Sequence, residues 1–88
     1  MSNIYIPLPP HMREAAKRYI ESGIEPGSFM LAVLANDLTG ALTQADSDNR
    51  EAIFQWAKFL QVIPTDAWGS YIKVKVYMES KRKEADNG

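Results

Sequence analysis

Residues 28–45, SFMLAVLANDLTGALTQA, decide how the chain is read. Their first two turns, Phe29 to Ala35, are apolar on every side, which describes a helix surrounded by protein rather than one lying on a surface. A central helix from Ser28 to about Ala45 is therefore expected, its start capped by the Ser28 hydroxyl. Upstream, Gly23-Ile24-Glu25-Pro26-Gly27 reads as a stiff connector. Before it, Met12, Ala15, Ala16, Tyr19 and Ile20 recur at three- and four-residue intervals between Pro10 and Ser22. That spacing predicts a first helix that Pro10 opens and Gly23 stops.

Downstream, Asp46-Ser47-Asp48-Asn49 is a polar break, and Asp48 with Glu51 three residues on fits a reciprocal cap. A third helix starts there. Ile53, Trp56, Ala57, Leu60 and Ile63 form its stripe, Phe54 and Phe59 widen it, and Pro64 sets the end near Ile63. Thr65 to Gly69 is a loop. From Ser70 to Ala85 two periods compete: Ile72, Val74 and Val76 alternate with lysines, while Tyr71, Val74, Tyr77 and Met78 fit a helix. A lone strand would lack a partner, so the helix is preferred, with a strand over 71–80 left open. The expected fold class is all-α: a compact four-helix domain with an extended amino-terminal arm over residues 1–9 and a disordered tail over 84–88.

The chain has 88 residues, 45% apolar and 24% charged, which is ordinary globular composition. For so small a domain the apolar gain and the ordering entropy come out about equal, so self-association as a homo-oligomer is expected. Cysteine is absent, which removes thiolate zinc sites and cysteine nucleophiles and fits a reducing compartment. Neither a leader pattern nor a membrane span is recognised, and the cytoplasm is the expected location. Net charge is −1, spread as +1 over residues 1–23, −4 over 24–70 and +2 over 71–88. A nucleic-acid binder needs clustered bases, so nucleic acid is not expected as a partner.

Several constellations bear on function. Pro26-Gly27-Ser28-Phe29 opens a helix whose first amides lack intrahelical acceptors and whose dipole favours anions. Gly27 leaves room for close approach, Ser28 can bond a phosphate, and Arg13, Lys17 or Arg18 on the first helix can add charge. Ser28 as a plain cap is the simpler alternative. Asn36 and Asp37 interrupt the apolar run, and polar groups buried there need partners. They either read the polar edge of a ligand or fix helix packing, for example through Arg50. Trp68 stands on a loop before Ser70, and it and Tyr19 either stack on a base or plug the core. His11 and Glu14 are too few for a metal centre, and Lys81-Arg82-Lys83 is most simply a solvated helix end. With one histidine and no evident carboxylate pair, neither an enzyme, a metal nor a cofactor is expected.

The run Arg18-Tyr19-Ile20-x-x-Gly23-Ile24-x-Pro26-Gly27-Ser28-Phe29, continuing through Ala32-Val33-Leu34-x-Asn36-Asp37-Leu38 to Trp68-Gly69-Ser70, resembles a group of small phage and prophage proteins. The resemblance implies a phage or mobile-element origin and a compact helical fold, and it carries no established activity. On this footing the first expectation is a small binding protein that sequesters a host signalling nucleotide or similar phosphorylated metabolite between subunits, as an anti-defence sponge. Its binding residues would be Gly27, Ser28, Phe29, Arg13, Lys17, Arg18, Asn36, Asp37, Trp68 and Tyr19. The second is a protein-interaction module whose apolar patch near Met1 to Leu8 and Trp68 docks on a host or phage protein and blocks it. A third, a DNA-reading helix pair, is opposed by the acidic middle of the chain.

Overall fold

Proline's fixed φ opens the first helix, α1 (Pro10–Ser22), where a missing N–H costs nothing. Its bounds are those the periodicity predicts, with Ala16 and Tyr19 buried on the inner face. Gly23 stops it in the left-handed region at φ 67°, and the N–H groups of Gly23 and Ile24 donate back to Tyr19 and Arg18. The computed structural model describes residues 3–87; side chains beyond Glu84 and all of Gly88 lie outside the described residues. The last helix is drawn to Asn87, so the end of the tail expected over 84–88 falls outside them.

The apolar run becomes the buried centre, but as a shorter helix than expected. α2 (Ser28–Leu34) buries Phe29, Met30, Ala32, Val33 and Leu34. Asn36 then adopts φ 62°, and the Asn36 and Asp37 N–H groups donate to Val33 and Ala32, closing the helix end. Asparagine is one of the few residues that tolerates this geometry. Asp37 caps α3 (Leu38–Gln44), its carboxylate accepting from the Gly40 N–H at 3.0 Å. One helix over 28–45 is thus corrected to two, because Asn36-Asp37 is a stop followed by a start.

The third expected helix is also divided. Asp46, not Asp48, caps α4 (Ser47–Glu51), accepting from the Asn49 N–H at 2.8 Å. Ala52 leaves helical geometry, and α5 (Ile53–Val62) follows, stopping where Pro64 requires. Asn49 is buried across this step and accepts from the Trp56 indole N–H at 3.2 Å. After a 3₁₀ turn at Thr65–Ala67, α6 (Tyr71–Asn87) begins with Ser70 Oγ accepting from the Lys73 N–H. Val74, Tyr77 and Met78 are buried while Ile72 and Val76 are exposed, so helical spacing prevails over the strand left open for 71–80. All regular structure among the described residues is helical, in six α-helices rather than four.

The amino-terminal arm is not extended. Turns at residues 4–7 fold it back, with Ile6 N–H donating to Asn3 and Leu8 N–H to Tyr5. Leu8 is 1% exposed and joins the core, and Arg13 donates to the carbonyls of Leu8 and Ile6 at 3.0 and 2.7 Å. Burying one leucine is worth roughly 1.5–3 kcal/mol, and with the Arg13 bonds and the Tyr5–Phe59 ring contact at 5.9 Å it offsets part of the entropy lost on ordering the arm. The core pairs Tyr19 with Tyr77, Phe29 with Trp56 and Trp56 with Phe59 at ring separations of 5.3, 5.3 and 5.9 Å. Among the described residues no helix is long and apolar enough to cross a membrane.

Candidate ligand site and apolar face

The start of α2 is built by the connector. Pro26 is buried, Gly27 takes the cap position at φ −67°, and Phe29 anchors the first turn edge-on to Trp56. Gly27, not Ser28, is the cap, so no side chain receives the opening amides of α2. Leu31 N–H donates to the Gly27 carbonyl at 2.9 Å, whereas the Ser28, Phe29 and Met30 amides precede the first helical bond. Ser28 is exposed, its hydroxyl not engaged in capping. A Cβ at Gly27 would meet nothing within 4 Å, so the approach is open.

The residues expected to complete this site lie in several settings. Arg13 is held by the arm carbonyls. Lys17 and Arg18 are exposed on α1, Arg18 sharing a 3.7 Å ion pair with Glu14. Tyr19 does not stack on a ligand: it is fully buried and its hydroxyl donates to the Ala67 carbonyl at 2.6 Å. Burial, then the neighbouring Tyr77, pushes its phenol far above the ordinary range. Trp68 is half-buried against the core, its indole nitrogen enclosed without a hydrogen-bond partner. Asn36 and Asp37 occupy the far end of α2, about 10 Å of helix from Gly27 at ~1.5 Å per residue.

Neither Asn36 nor Asp37 is buried, contrary to the expectation of interior polar groups. Asp37 accepts from the Tyr71 hydroxyl at 2.7 Å as well as from Gly40. Those two donors, Tyr71 first, hold its carboxyl below the usual carboxylate range, and the same bond raises the Tyr71 phenol. Arg50 is not their partner; its guanidinium reaches toward the Ala45 carbonyl.

The break between α2 and α3 opens a groove of about 130 Å³, with Val33, Leu38 and Ala41 on one wall and Ile53, Ala57 and Leu60 on the other. Asn36 and Asp37 are its polar lining residues. Of its lining residues Leu38 is 66% exposed, and the neighbouring turns of α3 and α5 also carry exposed apolar side chains, Leu42 and Phe54, the latter 64% exposed. Reading the sequence alone missed this face, because Phe54 and Phe59 share a stripe and only Phe59 turns into the core. The Asn36-Asp37 stop was the available signal.

His11 and Glu14 do not form a pair. His11 Nε2 lies 3.0 Å from Asp46 Oδ2, and Glu14 turns to Arg18. Among the described residues no group of three or more histidine, aspartate or glutamate side chains is placed to hold a metal ion. Compared with protein-family models, curated proteins and solved structures, the chain matches none.

Proposed function

We propose that the chain is a small phage-type binding protein that sequesters a nucleotide or similarly phosphorylated host metabolite on the opening amides of α2. The observation that carries the reading is the uncapped, exposed start at Gly27-Ser28, where the Ser28, Phe29 and Met30 amides have no helical acceptor and nothing stands over Gly27. Backbone N–H groups with a helix dipole behind them suit a phosphate. The exposed Ser28 hydroxyl adds a donor. Asn36 lies at the other end of α2, about 10 Å of helix away, and is not part of this cradle.

Calorimetric titration against cyclic and ADP-ribose-like nucleotides tests this. Heat and a melting shift are expected for at least one, and Gly27→Val should abolish them while preserving the fold, since the added side chain enters open space. Absence of heat for the whole panel refutes the reading.

A second reading is favoured by the apolar face: a protein-interaction module that docks a partner protein there, rather than near Met1 to Leu8 and Trp68. Leu38, Leu42 and Phe54 expose roughly 300 Å² of apolar surface, worth on the order of 8 kcal/mol gross if covered. A photo-crosslinking residue at Leu42 should then form protein adducts that the same residue at Lys17 does not; equal labelling from both refutes docking.

A further inference from the structure

We propose that the groove between α2, α3 and α5 binds a small apolar ammonium ion, a single-ring or short-chain primary amine whose carbon body fills the groove and whose charged head bonds the Asp37 carboxylate. Neither phosphate at Gly27 nor a docked protein is needed for this site, which goes beyond both readings above.

The walls are built before any ligand arrives. Val33, Ala41, Trp56 and Leu60 line the groove and are buried, so its apolar surface belongs to packed helices rather than to loops. Trp56 is fixed by its indole bond to Asn49 and by edge-on contacts with Phe29 and Phe59. The volume of about 130 Å³ decides the size of the guest. An apolar cavity of roughly 150 Å³ takes a benzene ring, whereas drug-sized ligands need about 300 Å³ or more. One ring, or a chain of about five carbons, is therefore the match.

Charge decides its sign. Of the residues lining the groove only Asp37 is charged, and among the described residues no lysine, arginine or histidine pairs with it. Its oxygens take neutral donors instead, the Gly40 N–H at 3.0 Å on Oδ1 and the Tyr71 hydroxyl at 2.7 Å on Oδ2. The Tyr71 bond first, and then the Gly40 bond, hold the carboxyl below its usual range, so it is an anion at neutral pH. An ionised carboxylate has about four lone-pair sites, which leaves two for a ligand. Asn36, the other polar lining residue, brings a side-chain amide oxygen as a second acceptor. An apolar recess beside an uncompensated carboxylate selects an apolar cation, because an anionic guest meets like charge and a neutral one leaves the carboxylate without a counter-charge.

The test is titration of the full chain with benzylammonium chloride, benzyl alcohol and sodium benzoate, followed by the backbone amide signals in proton–nitrogen NMR. Benzylammonium should move the Val33, Ala41 and Leu60 signals saturably in the millimolar range, as befits so small a ligand. Benzyl alcohol should bind the same place roughly five- to tenfold more weakly, and benzoate not at all. Asp37→Asn keeps an oxygen for the Gly40 N–H and should erase the preference for the ammonium while leaving benzyl alcohol unchanged. Ala57 lines the groove and is exposed, so Ala57→Leu should fill the groove, leave the helical circular dichroism intact and abolish binding of every probe. No movement of these signals with any probe, equal affinity for all three, or an ammonium preference that survives Asp37→Asn overturns the assignment. The nucleotide titration and the crosslinking from Leu42 decide the two earlier readings separately.

Discussion

Replacing Gly23 with alanine puts a methyl group where two helices meet. The residue has φ 67°, a region that costs an ordinary L-residue roughly 1–2 kcal/mol. The new Cβ would lie 2.6 Å from the Met78 carbonyl oxygen and 2.7 Å from Lys81 Cβ on α6. The oxygen is backbone inside a helix and cannot swing aside, so the helices must separate, at a further cost of roughly 1–3 kcal/mol. The total of about 2–5 kcal/mol is a large share of the roughly 4–13 kcal/mol that a chain of this size holds at ~0.05–0.15 kcal/mol per residue. Urea unfolding followed by far-ultraviolet circular dichroism should show a much lower midpoint with little change in slope. Gly27→Ala is the control: its φ is −67° and nothing lies within 4 Å, so its cost should stay within about 1 kcal/mol. Equal costs for the two alanines would refute the claim that Gly23 is held by the α1–α6 contact.

Three further outcomes are expected. Asn49→Ala strands the buried Trp56 indole N–H and should cost roughly 1–3 kcal/mol in urea unfolding, with a smaller cost in a Trp56→Phe background where no donor is left. The Asp37 carboxyl is held low by the Tyr71 hydroxyl and then the Gly40 amide, and Asp46 chiefly by the Asn49 amide with help from His11. Because both titrate lower folded than unfolded, the unfolded chain binds more protons, and their stabilisation is present above the usual carboxylate value of about 3.9 and lost as pH falls through the folded values. Melting temperature should therefore drop below about pH 4, and Asp37→Asn or Asp46→Asn should flatten that acid limb. The Tyr71 phenol, raised first by its bond to Asp37, should ionise above its usual range in an ultraviolet titration, and Asp37→Asn should bring it down.

The candidate site was only partly legible before folding. Gly27-Ser28 was recognisable as a helix start, because proline, glycine and a following apolar run act locally. Which residue caps it was not, since Gly27 and Ser28 differ by one step of chain geometry. Tyr19 read as a candidate stacking ring because an aromatic at a helical position carries no mark of which way it faces; its fully buried hydroxyl bond to Ala67 spans 48 residues. The apolar face could not be read because exposure of Leu38 and Phe54 depends on where α3 and α5 end up relative to one another.

What the sequence determined by itself was local: the all-helical class, both ends of α1, the burial of Phe29 to Ala35 apart from the half-exposed Leu31, the stop at Pro64 and the start after Ser70. Each follows from side-chain period, proline sterics or a hydroxyl within three residues of its amide. What only the tertiary structure decided was every choice between near-equal local options. The chain breaks at Asn36-Asp37 where the Gly69 N–H donates to the Leu34 carbonyl and the Tyr71 hydroxyl to the Asp37 carboxylate, Asp46 caps in place of Asp48 with His11 on its other oxygen, and the arm folds back because the core receives Leu8. Local alternatives differ by about 1 kcal/mol, while burying one leucine or aromatic side chain is worth more than that. Packing therefore sets the outcome wherever the chain leaves two readings open.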